Sequence, residues 1–260
     1  RGGAPRGRGG REQRLASVTR SDRMTGMPEQ TSTPASRQAL DATWAVIPLY
    51  NEAAVVGDVI RELRASIPNV VCVDDGSRDR SAEIAEQAGA RVLRHPHNMG
   101  QGAALQTGIA YAREQAGCQY IVTFDADGQH RVEDATAMVG LSERDGFAIV
   151  LGSRFLDDRT DPGFLKRVVL KFAAAVTNAA TGMTLTDAHN GLRALRVDAA
   201  RVINLQQDRM AHASEIVAQL GRSGLPWAEF PVHIRYTDYS KAKGQSMLNS
   251  INIVVDLVIR

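Results

Sequence analysis

The stretch YIVTFDADGQH at residues 120–130 joins a short run rich in β-branched and aromatic residues to an acidic loop. Four other runs of this kind are WAVIPL (44–49), NVVCV (69–73), ARVLR (90–94) and FAIVL (147–151). Helical patterns separate these runs, near residues 52–66, 81–88, 102–116 and 132–141. Short strands that alternate with amphipathic helices are typical of a parallel sheet covered by helices on both faces. The sequence therefore predicts an α/β fold with a Rossmann-like, mostly parallel central sheet.

The composition is that of an ordinary globular protein, with 43% hydrophobic and 23% charged residues among 260. It excludes a collagen-like, coiled-coil or wholly disordered chain. The longest nearly apolar run, 251–259, contains Asn252 and Asp256 and falls short of the roughly 20 residues that span a bilayer. Cys72 and Cys118 both lie in predicted regular structure, which argues against a disulfide scaffold or a cysteine zinc site. We expect no membrane span and a reducing, cytoplasmic compartment.

The N-terminal segment carries the basic excess of the chain. Residues 1–23 contain seven Arg against Glu12 and Asp22, whereas the whole chain has a net charge of +2. With many glycines and few apolar residues, this segment cannot bury enough surface to offset its ordering entropy. We expect a disordered tail over 1–42 and a folded domain over 43–260. The tail is either an RGG-type RNA-binding arm or an extension upstream of a start at Met24 or Met27; we favour the extension and expect no nucleic acid partner.

Acidic residues follow two of the predicted strands, where parallel sheets bind their ligands. Asp75 stands in DDGS (74–77) and either caps the next helix or binds a ligand. Asp125 and Asp127, at i and i+2, leave an extended strand end on the same side and can reach one cation together. Such oxygen ligands suit Mg²⁺ or Mn²⁺, whose remaining ligands come from water and substrate phosphates. A calcium loop of the EF-hand type would need further acids that this loop lacks.

The order of several motifs resembles that of inverting glycosyltransferases of family 2. The motifs are IPLYNE (47–52), VDDGSRD (73–79), HNMGQGAALQTGI (97–109), FDADGQH (124–130), GSRF (152–155) and TDAHNGLRA (186–194). Within the family, the chain is similar to the polyprenyl-phosphate branch of the dolichyl-phosphate mannosyl synthase type. Its segment YSKAKGQSMLNSINI (239–253) is similar to bacterial polyprenyl-phospho-N-acetylgalactosaminyl synthases. The resemblance spans about 44–249 and implies a GT-A type fold.

The resemblance also implies a site for a nucleotide-diphosphate sugar. Its binding positions are Pro48, Tyr50, Glu52, Val73, Asp75, Asp125, Ala126, Gln129 and Lys241. Asp125 and Asp127 match the metal ligands, and Asp127, Arg154 and Asp187 match catalytic positions. Arg154 would stand beside the diphosphate, because a guanidinium fork pairs with phosphate oxygens. A surface salt bridge is the alternative for Arg154.

The acceptor side rests on three charged residues. Arg167 and Lys171 are i,i+4 neighbours on a helical pattern and match acceptor-phosphate positions; the alternative is a pair of cations snorkelling from an interfacial helix. Asp187 would orient the acceptor region, or act as a base if the acceptor is a sugar hydroxyl. Equally, it could pair with Arg193 to hold its loop.

The chain departs from the family pattern at two places. Gln101 stands where many members have Lys in an NxGKG motif, and Met247 stands where many have a basic residue. Lys241 and Lys243 could serve the second role on a mobile lid with Gly244 as a hinge. These departures affect the details of donor binding rather than the reaction type.

The resemblance implies transfer of a sugar from a nucleotide-diphosphate donor to polyprenyl phosphate with inversion, for cell-envelope glycan synthesis. A UDP-sugar is favoured, with UDP-N-acetylhexosamine as a candidate. The alternative within the family is a sugar hydroxyl acceptor. A sugar nucleotidyltransferase would carry a Gly-rich loop after the first strand, which IPLYNE lacks. We expect peripheral attachment to the inner face of the cell membrane through 163–183 and a C-terminal interfacial helix at 246–259, with a small membrane-protein partner as a further option.

Overall fold

The computed structural model describes residues 35–156, 183–207 and 211–235. Several predictions lie outside these residues: most of the N-terminal tail, the acceptor-phosphate residues Arg167 and Lys171, the lid residue Lys241, and the C-terminal interfacial helix. The described residues contain seven strands and seven helices. The strands are β1 (Thr43–Leu49), β2 (Asn69–Asp74), β3 (Arg91–Arg94), β4 (Tyr120–Thr123), β5 (Ile149–Ser153), β6 (Arg193–Arg196) and β7 (Trp227–Pro231). The helices are α1 (Arg37–Asp41), α2 (Val56–Arg64), α3 (Ser81–Gln87), α4 (Gln101–Arg113), α5 (Val132–Asp145), α6 (Val197–Arg201) and α7 (Ala211–Arg222).

The seven strands form one sheet in the order β3-β2-β1-β4-β6-β5-β7. β1 pairs in parallel with β2 and β4, β2 with β3, and β5 with β7. β6 runs antiparallel between β4 and β5. The prediction of a mostly parallel sheet is confirmed. The short strand RALR and its reversed direction were not predicted, because a four-residue run with Arg at both ends has no clear strand signature.

Helices cover both faces of the sheet, as the alternation of strands and helices predicted. Successive residues of a strand point to opposite faces: Ala45 and Ile47 join one apolar cluster and Val46 the other. The first cluster includes Ile60 and Leu63 of α2, Ala85 of α3 and Met138 of α5. The second includes Leu105 and Ile109 of α4, Ala199 of α6, and Ile216 and Leu220 of α7. Each fully buried Leu or Ile contributes about 1.5–3 kcal/mol, so both faces stabilise the sheet.

The close approach of α4 to the sheet depends on a glycine. A Cβ at Gly108 would overlap the side chain of Val46. The N-terminal residue of α4, Gln101, thereby reaches the end of β4, and its side-chain amide lies 3.4 Å from Asp125 Oδ1. The glycine thus has a consequence for the site as well as for packing.

The boundary of the folded domain lies earlier than the sequence predicted. We expected a linker up to residue 42, but Arg37–Asp41 form helix α1, with Ser36 as its N-cap. The Ser36 hydroxyl accepts a hydrogen bond from the Ala39 N–H at 3.1 Å and donates to Glu143 Oε1 at 2.5 Å. Ala39 and Leu40 are buried against the core. The local Ser/Thr/Pro composition concealed these contacts with α5, which supply the burial that a tail lacks.

Two further expectations concern cysteines and membranes. Cys72 and Cys118 are both free thiols. Across residues 35–156, 183–207 and 211–235, no helix is long and apolar enough to cross a bilayer.

Candidate active site

The candidate site lies at the edge of the sheet where β1, β2 and β4 end. The register places Leu49 beside Asp74, and Val46 beside Thr123. Because these strands are parallel, the loops that follow them meet at one edge. Antiparallel β6 begins at this edge, since Arg193 pairs with Thr123. The segment before β6, which contains Asp187, is therefore brought to the same place.

The loop after β1 is tied to the loop after β2. Asn51 adopts a left-handed backbone conformation with φ of +54°, its N–H donates to Ser77 Oγ at 3.0 Å, and its side-chain oxygen accepts from the Arg78 N–H at 2.9 Å. The Glu52 N–H donates to Ser81 Oγ at 2.7 Å. Tyr50 is 41% exposed. These bonds hold the predicted nucleotide positions Tyr50 and Glu52 at the rim of the sheet.

Pro48 and Val73 are paired neighbours on β1 and β2. Val73 is completely buried, so its side chain packs in the core. Only its backbone could contact a ligand, as the resemblance implied. The structure thus brings together Pro48, Val73, Tyr50 and Glu52, four of the predicted donor positions, at adjacent strand ends.

Asp75 anchors the loop at residues 95–100. It is only 3% exposed. Its carboxylate accepts hydrogen bonds from the Met99 and Gly100 N–H groups, each at 2.8 Å, and pairs with His95 Nδ1 at 2.8 Å. The other ring nitrogen of His95 lies 3.0 Å from Thr107 Oγ1 on α4. His95 therefore links Asp75 to α4.

Asp125 lies among several positive or hydrogen-bonding groups. His130 Nε2 is 3.0 Å from its Oδ2. Burial raises the pKa of Asp125, but the hydrogen bond and charge of His130, together with Arg193, outweigh it and lower that pKa. Arg193 is buried, and burial lowers its pKa to about 10. Asp125 is therefore an ionised carboxylate with compensating charge inside the protein.

Asp127 has the opposite electrostatic environment. Burial raises its pKa, as do the charges of Asp125 and Glu52. Its Oδ1 accepts the Gln129 N–H at 3.0 Å, and among the described residues no Lys or Arg forms an ion pair with it. A divalent cation would relieve this accumulation of negative charge, so the donor set fits Mg²⁺ or Mn²⁺. In the described ranges, no group of three or more His, Cys, Asp or Glu could hold a metal ion by itself, so a cation on these two carboxylates would need further ligands from water or a phosphate.

Ala126 and Gln129 complete the loop around the two carboxylates. Ala126 is buried and Gln129 is half-buried. The Gln129 carbonyl accepts from the Arg235 N–H at 2.9 Å. Arg235 in turn pairs with Glu62 at 2.8 Å. The loop is thus joined to the residues after β7.

Asp187 pairs directly with Arg154. Arg154 Nε and Nη2 donate to its two oxygens at 2.7 and 2.9 Å, and the Arg154 N–H donates at 3.2 Å. The side chain of Asp187 is 1% exposed. Burial raises the pKa of Asp187, but Arg154 outweighs burial and lowers it.

The ion pair between Arg154 and Asp187 changes two interpretations that the sequence left open. Arg193 was considered the partner that fixes the loop of Asp187, but the direct partner is Arg154. Arg193 instead lies within electrostatic range of both Asp125 and Asp187. The salt bridge considered for Arg154 does form, although its acidic partner is buried rather than on the surface.

Glu229 on β7 supports the same loop. It accepts from the Thr186 N–H at 2.9 Å, from Thr186 Oγ1 at 3.0 Å and from the Asp187 N–H at 3.2 Å. Burial raises the pKa of Glu229. Sequence reasoning did not single out Glu229, because its partners are 42 and 43 residues away in the chain.

The sequence analysis did not predict that three further residues lie near the Asp125 carboxylate: His130, Arg193 and Gln101. All three stand in quoted motifs, so the signal was present. Glu215 on α7 accepts hydrogen bonds from the Gln206 and Gln207 N–H groups and so holds these two residues against the helix.

The comparison with protein families identifies the chain. Residues 44–203 match the model described as Glycosyl transferase family 2. This chain belongs to glycosyltransferase family 2. The family 2 assignment confirms the resemblance seen in the motifs.

Two curated relatives extend over most of this family 2 chain. An uncharacterised protein of Methanocaldococcus jannaschii is 34% identical over 225 residues, covering 85% of this chain and 92% of its own. A UDP-N-acetylglucosamine–dolichyl-phosphate N-acetylglucosaminyltransferase of Methanococcus voltae is 28% identical over 238 residues, covering 83% of this chain and 94% of its own. The second relative is named for a polyprenyl-phosphate acceptor, which agrees with the predicted branch of family 2.

Solved structures of glucosyl-3-phosphoglycerate synthase from Mycobacterium tuberculosis share the fold. The complex with Mg²⁺ and UDP has a TM-score of 0.63 at 18% identity, covering 87% of this chain and 83% of that one. The complex with Mn²⁺, UDP and phosphoglyceric acid has a TM-score of 0.62 at 17% identity, covering 87% and 82%. The likeness confirms the GT-A type fold predicted for this family 2 enzyme.

Proposed function

We propose that this family 2 glycosyltransferase transfers a sugar from a nucleotide-diphosphate donor to polyprenyl phosphate with inversion. The observation that carries the proposal is Asp127 at the ligand-binding edge of the sheet, whose pKa is raised by burial first and then by the negative charges of Asp125 and Glu52. Such a site calls for a divalent cation and a diphosphate. The M. voltae relative, named for a UDP-sugar donor and a dolichyl-phosphate acceptor, supports both substrate classes. It also supports UDP-N-acetylhexosamine as the donor to test first. The product in this proposal is a lipid-linked sugar for envelope glycan synthesis.

The proposed metal ligands are Asp125 and Asp127, holding Mg²⁺ or Mn²⁺ together with the donor diphosphate. Both ions occur with UDP in the solved structures of the mycobacterial synthase. When bound, the ion supplies charge that stabilises the leaving diphosphate. Arg154 adds a cation beside the diphosphate, in an orientation held by Asp187. Metal dependence and the hexosyltransferase class are both part of this proposal.

The remaining donor positions recognise the nucleoside and the sugar. Pro48, Tyr50 and Glu52 line the base and ribose, while Val73 contributes its backbone. Asp75 has three hydrogen bonds in place and retains one acceptor position for the base. Ala126 and Gln129 lie beside the metal ligands, and Lys241 belongs to a lid over the diphosphate.

The reaction is a single displacement at the anomeric carbon. A phosphate oxygen of the lipid forms the new bond to that carbon, the bond to the diphosphate oxygen breaks, and the electron pair leaves with the nucleoside diphosphate. Attack from the opposite face inverts the configuration. A phosphate is already anionic near pH 7, so the step needs no strong base.

The environment of Asp187 favours a phosphate over a sugar hydroxyl as the acceptor. A hydroxyl acceptor needs a base whose pKa lies near the working pH. Arg154 lowers the pKa of Asp187, and four donors already occupy its oxygens. Asp187 is therefore suited to orienting the acceptor loop rather than to removing a proton.

The proposed location is the inner face of the cell membrane. Segments 163–183 and 246–259 combine apolar residues with few charges, and Arg167 and Lys171 would meet the acceptor phosphate there. Each basic residue near anionic lipid contributes about 1 kcal/mol, so apolar insertion or a small membrane-protein partner would supply the remaining attachment.

One assay tests the reaction. The protein is incubated with polyprenyl phosphate, a panel of nucleotide-sugars and Mg²⁺ or Mn²⁺, and the lipid is analysed by mass spectrometry. We expect a polyprenyl-phosphate sugar from one UDP-sugar, lost when EDTA removes the metal. Transfer only to a sugar hydroxyl, or full activity in EDTA, would overturn the proposal.

A second assay tests the acceptor residues. Replacing Arg167 and Lys171 by Ala should raise the KM for polyprenyl phosphate much more than that for the nucleotide-sugar. Equal changes in both KM values, or none, would show that the acceptor phosphate binds elsewhere.

A further inference from the structure

His130 follows the two carboxylates and folds back onto Asp125. Its Nε2 lies 3.0 Å from Asp125 Oδ2. The imidazole is 5% exposed and meets the Phe124 ring edge-on, with 5.4 Å between centroids. Its orientation is therefore held by packing as well as by the hydrogen bond.

The two ring nitrogens of His130 lie in different environments. His130 Nδ1 is buried and has no hydrogen-bond partner among the described residues. A buried nitrogen without a partner costs free energy, which an apolar side chain of similar size would avoid. The ring thus gains one polar contact, the one to Asp125, at this cost. Because an ionised carboxylate can only accept, Nε2 carries the hydrogen of that contact.

The other side of Asp125 Oδ2 is closed by backbone. A Cβ at Gly191 would overlap this oxygen. The Gly191 carbonyl accepts from Thr123 Oγ1 at 2.6 Å and from the Arg193 guanidinium at 3.3 Å, which holds the glycine in place. Oδ2 therefore lies between His130 and Gly191.

The remaining oxygen of Asp125 lies on the open side. Among the described residues, Oδ1 has only the long contact of 3.4 Å to the exposed Gln101 amide, and the Asp125 side chain is 32% exposed. We propose that His130 is a positioning residue, which with Gly191 fixes Asp125 Oδ2 and presents Oδ1 to the divalent cation and the donor diphosphate. This inference rests on the metal site of the proposed function.

The test is the affinity for Mn²⁺, measured by electron paramagnetic resonance with and without UDP. Replacing His130 by Leu should weaken Mn²⁺ binding about tenfold to a hundredfold, the usual effect of removing a group that orients a metal ligand. His130→Gln keeps an N–H donor at a similar reach and should restore most of the affinity. His97, which is exposed, provides the matched control: His97→Leu should bind Mn²⁺ like the unchanged protein.

Two additional variants keep the test decisive. Gly191→Ala displaces Asp125 from the opposite side and should also weaken Mn²⁺ binding, even if His130→Leu does not fold.

Asp125→Asn tests the metal site itself. If Asp125→Asn leaves Mn²⁺ binding unchanged, the proposed function is wrong at this point. If Asp125→Asn removes binding but His130→Leu does not, or if the Gln and Leu variants lose equally, the positioning role is wrong. Melting of the metal-free variants reports any loss of fold separately.

Discussion

The DAD loop, residues 125–130, and the TDAHN loop, residues 186–190, lie at the same edge of the sheet. Their carboxylates differ in the charged groups that surround them. Asp187 is buried, and its charge is matched by Arg154. The pKa of Asp127 is raised by burial and, in addition, by the charges of Asp125 and Glu52. In the TDAHN loop, an arginine of the protein balances the charge of the carboxylate. In the DAD loop, the charge of Asp127 would be balanced only by an added cation. The first suits a structural and orienting role, and the second suits a metal and diphosphate.

The largest expected effect comes from Asp127→Asn. Because this change removes charge where the cation and leaving diphosphate must be stabilised, we expect turnover to fall about a thousandfold with the fold intact. Transfer rates with saturating Mn²⁺ and circular dichroism measure both quantities. Asp58→Asn, at an exposed acid on α2, is the control and should retain activity. Near-normal turnover of the Asp127 variant would contradict the proposed metal-binding role that distinguishes the DAD loop from the TDAHN loop.

Breaking the ion pair of the TDAHN loop should lower the stability of the fold, whatever it does to turnover. Arg154→Ala leaves the buried Asp187 charge unpaired, which costs about 3 kcal/mol in the free energy of unfolding. Urea denaturation measures this loss. Arg144→Ala removes the exposed partner of Asp145 and should leave the midpoint unchanged. Similar midpoints for both variants would contradict the asymmetry between a buried and an exposed pair.

The pH dependence of stability sharpens the comparison. Arg154 lowers the pKa of Asp187 in the folded state, so the folded protein binds this proton less readily than the unfolded chain does. The resulting stabilisation is fully present above the ordinary pKa of an aspartic acid and is lost as pH falls through the lowered value. The unfolding free energies of the protein and of Asp187→Asn should therefore converge in acid. A constant gap between pH 7 and the acid limb would exclude the ionised pair.

The smallest effect is expected at Glu229. Glu229→Gln keeps one acceptor oxygen for Thr186 and the Asp187 N–H, so we expect a loss of about 1 kcal/mol in the free energy of unfolding. Urea denaturation near pH 7 measures it. A loss as large as that of Arg154→Ala would make Glu229, rather than the ion pair, the main support of the TDAHN loop.

Much of the DAD side could be predicted because its information is local. Apolar runs ending in Asp75 and Asp125 place these residues at strand ends, and parallel strands bring those ends together. The other half of the sheet was harder to predict. The strand RALR has no distinctive pattern, and its reversed direction follows from pairing with β4 and β5.

The sequence by itself determined the alternating α/β order, the acidic strand ends and, through six ordered motifs, the family. These are properties of spacing and of neighbours along the chain. Only the tertiary structure decided that Arg154 rather than Arg193 pairs with Asp187, that His95 joins Asp75 to α4, and that Gly191 confines Asp125. The partners of Asp187 and Asp125 in these contacts lie 33 and 66 residues away along the chain. Their pairing depends on how packing of the two sheet faces brings separate strand ends to one edge, which no local pattern encodes.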